Sequence, residues 1–207
     1  PSEVGTLFVK PSARGGGKGR LMSLARFLFM ACNRTRFADL VIAEMRGVLD
    51  DADQSPFWDA VGRHFFDMDF ALADQRSAKD KQFIADLMPK QPIYIPMLPP
   101  QVQSLVGDVH PQARPALKLL KDEGFIYADE VDIFDAGPMY FTPTDKVRVI
   151  SESRCGVFER LIESKLDEPK PFLISSVKSP FHACLTQLEH TTRQHEDNLI
   201  GLPRDAA

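Results

Sequence analysis

Residues 14–19 read Arg-Gly-Gly-Gly-Lys-Gly, set between a strand-like run and a helix-like run. No other stretch constrains the fold as tightly. Upstream, Thr6-Leu7-Phe8-Val9 has strand composition, and a strand is expected over residues 5–9. Downstream, Leu21, Leu24, Ala25, Leu28 and Cys32 recur on one helical face, predicting a helix to about Asn33. A glycine loop that feeds a helix N-terminus is an anion cradle, because its backbone N–H groups are bare and the helix dipole adds partial positive charge. Glycines let the backbone close on a pyrophosphate without Cβ clashes. Arg14 and Lys18 can add charge-assisted contacts to phosphate oxygens.

The loop is not a Walker motif, since no Gly-Lys-Ser/Thr ends it. A dinucleotide-binding fingerprint needs an acidic residue about 20 residues on, at the end of a second strand, and none stands there. A flexible surface turn is the plain alternative for three consecutive glycines, but the strand-loop-helix context favours phosphate binding.

The 207 residues give room for one large domain or two small ones, and 43% hydrophobic with 26% charged residues is ordinary for a soluble globular chain. A net charge of −4 leaves no electrostatic footprint for nucleic acid. No membrane-length apolar run or signal peptide is visible. Cys32, Cys155 and Cys184 are scattered and odd in number, which argues for reduced thiols in the cytoplasm over a disulfide framework or a zinc site. The chain starts at Pro1 and runs at once into a strand, the pattern expected of a fragment or a processed chain.

Residues 38–46 read as a buried strand. A strand-helix-strand unit of this length favours parallel pairing with a right-handed crossover. Ser55-Pro56 supplies an N-cap and a first-turn proline, opening a helix with Phe57, Trp58, Val61 and Phe65. A short strand is expected over 64–70, a loop over 71–81, a helix over 82–88, extended chain over 92–100 and a helix over 100–106. A helix over 112–123 with Ala113, Ala116, Leu117 and Leu120 inward is capped by Gly124. Strands are expected over 125–134, 139–153, 172–177 and 181–188, then a polar tail from 191. Segments 55–70 and 113–127 both read helix, aromatic turn, strand. Phe57, Trp58, Phe65, Phe66 and Phe70 are expected in the core. His64 reads as structural.

Arg14-x-x-Gly17-x-Gly19 resembles the acyl-CoA-binding loop of GNAT-type N-acyltransferases. A narrower likeness rests on Gly5-Thr6-Leu7-Phe8, Ala43-Glu44-Met45-Arg46-Gly47, Ser55-Pro56-Phe57-Trp58 and Phe65-Phe66-x-Met68-Asp69-Phe70. It continues through Phe83-Ile84-Ala85-x-Leu87-Met88-Pro89-Lys90, Pro92-Ile93-Tyr94, Val109-His110-Pro111-Gln112 and Asp132-Ile133-Phe134-Asp135-x-Gly137-Pro138. In this order, over about residues 3–153, the chain resembles the arginine N-succinyltransferase family; from about Cys155 the likeness fades.

The resemblance implies an α/β (α+β) GNAT-like acyl-CoA transferase fold whose N-terminal strands are missing, with a second GNAT-like αβ unit and a C-terminal β-rich segment. The implied division is 1–70, 71–153 and 154–207. It further implies transfer of the succinyl group of succinyl-CoA to the α-amino group of L-arginine in arginine catabolism. Succinyl-CoA is then a co-substrate, with no permanently bound cofactor and no metal. Related subunits would form a homo- or hetero-oligomer in the cytoplasm, without nucleic acid or membrane. Residues implied for succinyl-CoA are Leu7 and Val9 on the strand, and Arg14, Gly15, Gly16, Gly17, Lys18 and Gly19 in the loop. His110 is the implied proton donor; on residues alone, a histidine before proline reads equally as a turn residue.

A guanidinium substrate suits bidentate carboxylates. Glu44, Asp132 and Asp135 are candidates, with Glu44 equally suited to pair with Arg46, and Arg46 equally suited to the succinyl carboxylate. Cys32, on the apolar helix face, reads as core, since direct transfer needs no acyl-enzyme. Two other readings stay open: an N-acyltransferase for another amine or acyl-CoA, such as ornithine, and a non-catalytic partner subunit.

Overall fold

Leu40-Val41-Ile42-Ala43-Glu44 forms an inner strand of a four-stranded sheet, with Val41 and Ala43 buried on one face. In the computed structural model the chain is a mixed α/β fold. The structure describes residues 1–77, 79–80, 82–162, 171–187, 189–192 and 198–203. The elements are β1 (Ser2–Glu3), α1 (Lys18–Cys32), β2 (Leu40–Glu44), α2 (Pro56–Ala60), α3 (Gly62–Phe66), α4 (Phe70–Ser77), α5 (Gln82–Leu87) and α6 (Pro100–Gln103). They continue with α7 (Arg114–Asp122), β3 (Ile126–Val131), β4 (Pro138–Pro143), α8 (Arg148–Glu152), β5 (Val157–Ile162), β6 (Phe172–Ser175), β7 (Ala183–Thr186), β8 (Glu189–Thr192) and β9 (Asn198–Pro203). Contacts gather them into two units interleaved in sequence: Pro1–Gly5 with Leu40–Thr142, and Thr6–Asp39 with Pro143–Ala207.

The first unit holds the sheet β1-β2-β4-β3. β1 pairs parallel with β2, as the strand-helix-strand reading predicts, and β3 pairs antiparallel with β4. Two apolar clusters support it. Phe57, Val61, Val102 and Ala136 form one; Trp58, Phe66, Ala73 and Phe83 form the other. Ser55 Oγ caps α2 by accepting from Trp58 N at 3.0 Å while donating to Phe134 O at 2.7 Å. The Trp58 ring, fully buried, stacks on Phe134 with centroids 5.2 Å apart, and its Nε1 donates to Met68 O.

The second unit is built on α1. Leu24, Phe27, Leu28 and Met30 are buried, and the helix packs against α8, β6 and β7. Phe29 meets Phe181 edge-on at 5.1 Å. Arg34 holds Asp145 at 2.6 Å and Asp39 at 2.9 Å, while Thr144 Oγ1 donates to Ala38 O. β6 pairs antiparallel with β7, and β5-β9-β8 form a separate sheet.

Several expectations are corrected. The first strand is Ser2–Glu3, extended only by Val4 N donating to Ile42 O. Residues 6–9 leave the sheet: Thr6 has φ 53, and Leu7 and Phe8 are exposed. Residues 64–66 close α3, Asp67 stops it at φ 47, and Phe70–Ser77 is helix where a strand and then a loop were expected. The first of the two echoing segments therefore lacks its strand. Phe65 is exposed, unlike Phe57, Trp58 and Phe66, and Phe70 is half-buried against the second cluster. Ala116 also faces solvent. Residues 92–100 include a turn of 3₁₀ helix at Ile95–Met97. The strand expected over 139–153 ends at Pro143, because Val147 and Val149 bury themselves as the chain turns into α8. The polar tail contains the strands β8 and β9; its residues 193–197 and 204–207 lie outside the described residues.

Candidate active site

In the second unit, Gly15, Gly16 and Gly17 have φ of 100, 58 and 76, a left-handed run that side chains resist. A Cβ on any of the three would meet nothing within 4 Å, so these glycines are needed for backbone shape and leave their face open. The run delivers the chain into the 15-residue helix α1 with Gly17 as N-cap. This is the arrangement in which backbone N–H groups and the helix dipole favour an anion. Arg14 Nε donates to Val9 O at 3.2 Å, tying loop to leader, and both Arg14 and Lys18 are exposed. Leu7 and Val9 precede the loop in irregular chain, not on a strand.

In the first unit, His110 sits at a turn before Pro111. Its Nδ1 accepts from Gln112 N at 3.2 Å. An imidazole nitrogen that accepts carries no proton, so neutral His110 carries its proton on Nε2. The main chain of His110 is fixed as well: its N–H donates to Arg46 O at 2.9 Å, and Gly107 N donates to Ala136 O at 2.9 Å.

Arg46 and Ala136 belong to a backbone crossing. Gly47 and Gly137 approach so closely that a Cβ on Gly47 would strike Asp135 O, and one on Gly137 would strike Met45 O. The Asp135 carboxylate closes the crossing, accepting from Gly47 N and from Gly137 N, each at 2.8 Å. Asp132 Oδ1 accepts from Phe134 N at 2.7 Å and Asp135 N at 3.3 Å. Burial pushes the Asp132 carboxyl above its ordinary range; the Phe134 N–H opposes this and the charge of Asp135 adds to it.

Beside the crossing lies a cleft of ≈ 300 Å³ lined by Glu44, Asp74, Asp132 and Asp135 with Phe70, Ser77, Ile84, Ile133 and Phe134. Its charged lining is entirely acidic. Three of the four substrate candidates read from sequence thus share one cleft. Asp74 was missed because its segment reads as loop. The fourth candidate, Arg46, is paired with Asp53 at 3.0 Å, so the expected Glu44–Arg46 pairing is not what holds it, and Glu44 is exposed instead of buried. The Gly47–Gly137 approach was also missed: both glycines stand in recognisable motifs, but sequence spacing carries no sign that they meet. Among the described residues, no group of three or more His, Cys, Asp or Glu could hold a metal ion.

The comparisons with known proteins show which family the chain resembles. The family described as arginine N-succinyltransferase beta subunit matches residues 1–149. An arginine N-succinyltransferase of Enterobacter sp. (strain 638) is 51% identical over 154 residues, 74% of this chain and 45% of that protein. The arginine N-succinyltransferase subunit beta of Pseudomonas aeruginosa is 47% identical over 178 residues, 86% of this chain and 52% of that protein. A solved structure of arginine/ornithine succinyltransferase subunit AI from Pseudomonas aeruginosa superposes with a TM-score of 0.76 at 32% identity, covering 97% of this chain and 56% of that one. The chain belongs to the arginine N-succinyltransferase family, and it spans about half the length of the curated relatives it matches.

Proposed function

We propose that this chain is the part of an arginine N-succinyltransferase that binds succinyl-CoA and supplies the general acid. The observation that carries the proposal is the family match over residues 1–149, which spans both the glycine loop and His110. In this reading the fold is GNAT-like and the loop Arg14–Gly19 holds the pyrophosphate of succinyl-CoA. The segment carrying Leu7 and Val9 offers backbone N–H groups to the pantetheine arm and thioester oxygen. One such preorganised donor contributes about 2.7–4 kcal/mol to an oxyanion.

The arginine α-amine, in its neutral form, attacks the thioester carbonyl carbon directly. The C–N bond forms and the C–S bond breaks. In its imidazolium form His110 gives the Nε2 proton to the leaving thiolate, and the proton lost by the amine returns to Nε2. The products are CoA thiol and N-succinylarginine. The support for His110 is its place in the matched segment, with the Gln112 N–H contact on Nδ1 and away from Nε2.

The acidic cleft suits the guanidinium, with Glu44 and Asp132 as the carboxylates, and Arg46 would turn from Asp53 to meet the succinyl carboxylate. Succinyl-CoA is a co-substrate, and no permanently bound group is required. That the Pseudomonas relative is named a beta subunit supports an oligomer of related subunits. The solved relative is named an arginine/ornithine succinyltransferase subunit, so ornithine is the second reading for the amine.

The test is thiol release from succinyl-CoA by the complete protein, with arginine and ornithine as amines and acetyl-CoA as the control donor. Succinyl- and arginine-dependent release supports the proposal. Activity only with another donor or amine moves the chain to a different N-acyltransferase. Activity only after adding a related subunit makes it a non-catalytic partner.

A further inference from the structure

We infer that Asp135 is a positioning residue for His110 and not a contact for the substrate. The inference rests on the proton-donor reading of His110. The chain of contacts runs through main chain alone. The two oxygens of Asp135 take the N–H groups of Gly47 and Gly137 at 2.8 Å, drawing together two backbones 88 residues apart in sequence at the Asp135–Gly47 link. The carbonyl of Arg46, next to Gly47, receives His110 N, and the carbonyl of Ala136, next to Gly137, receives Gly107 N. Both ends of the 107–110 turn therefore hang from the crossing that Asp135 closes. Ala136, fully buried at φ 56, anchors the same point in the apolar cluster of Phe57, Val61 and Val102.

A carboxylate is the group this junction needs. It accepts twice and donates nothing, whereas an amide offers one acceptor and turns an N–H₂ toward the other backbone N–H. Charge-assisted acceptance is also the stronger kind. Loosening the crossing shifts the turn that carries His110, and a displacement of about 1 Å at a catalytic group costs up to about 10²-fold in rate.

The experiment is a double-mutant cycle in the complete protein, using Asp135→Asn and Asp135→Ser with His110→Ala, read as kcat and KM for thiol release and as ¹⁵N shifts of labelled histidine. His110→Ala assigns the His110 signal among the five histidines. The expected result is a kcat lowered about 10- to 100-fold by Asp135→Asn with KM for arginine nearly unchanged. The same change should cost about two-fold or less in the His110→Ala background. His110 should show the single Nε2–H tautomer in the parent protein and a tautomer mixture in Asp135→Asn. An equal loss in both backgrounds, a rise in arginine KM as the main effect, or an unaltered His110 spectrum overturns the inference. So does loss of a cooperative melt in both Asp135 variants, which assigns the crossing to stability alone. Turnover retained in His110→Ala defeats the proton-donor reading, and positioning is then judged on the spectrum.

Discussion

The main-chain N–H of His110 donates to the carbonyl of Arg46 over 2.9 Å, so the turn bearing the proposed general acid is fixed to the chain that leaves the inner strand β2. This bond joins two motifs far apart in sequence, and it depends on the tight passage of Gly47 over Gly137.

Gly47→Ala is accordingly expected to be costly. Its Cβ would meet the Asp135 carbonyl, a backbone atom that cannot swing aside. Overpacking of this kind costs about 1–3 kcal/mol, and a backbone clash lies at the top of that range. Urea denaturation should show a lower midpoint with unchanged slope, and turnover should fall with it. A midpoint within error of the parent contradicts the crossing as described.

The glycine loop makes a different prediction, since it is exposed and is proposed to hold the pyrophosphate of succinyl-CoA. Arg14→Ala and Lys18→Ala should each raise KM for succinyl-CoA about ten-fold, the equivalent of one charge-assisted contact, with kcat within about two-fold. The effect should shrink as salt is raised, because exposed charges are screened. Steady-state kinetics at low and high ionic strength measure both. An unchanged KM removes the loop from the pyrophosphate.

Asp132 gives a pH-dependent prediction. Burial raises its carboxyl above the ordinary range. A carboxyl raised by folding contributes stability below its unfolded pKa and loses it as pH rises through the folded value. Asp132→Asn keeps an acceptor for Phe134 N and removes the buried charge. It should melt above the parent at pH 7, with the gap closing toward about pH 4. If Asp132 holds the guanidinium, the same variant raises arginine KM, a stability gain at the expense of binding. Thermal melts across pH, with parallel kinetics, separate the two effects.

Helix α1 and its glycine entry were legible because both signals are local: the apolar spacing from Leu21 onward and a loop rich in Gly. Ser55-Pro56 was legible for the same reason, and the cap bond to Trp58 is present. The strand over residues 5–9 was misread because Leu7 and Phe8 have strand composition but, among the described residues, pair with no strand and stay exposed. α4 was misread because Ala73 is its one fully buried side chain, too few to print a helical period. Val147 and Val149 favoured a strand by composition, yet burial in the second unit decided for α8. His110 and Arg46 each stood in a motif, but their hydrogen bond is a property of the fold, as is the clasp of Asp135 on Gly47.

The central claim is that His110 donates the proton to the departing thiolate. Steady-state thiol release by the complete protein carrying His110→Ala or His110→Gln tests it most directly. The account predicts a kcat about 10²- to 10⁴-fold lower, with KM for succinyl-CoA nearly unchanged and cooperative melting preserved. A kcat within about three-fold of the parent in both variants, at any pH where the protein is folded, would contradict it.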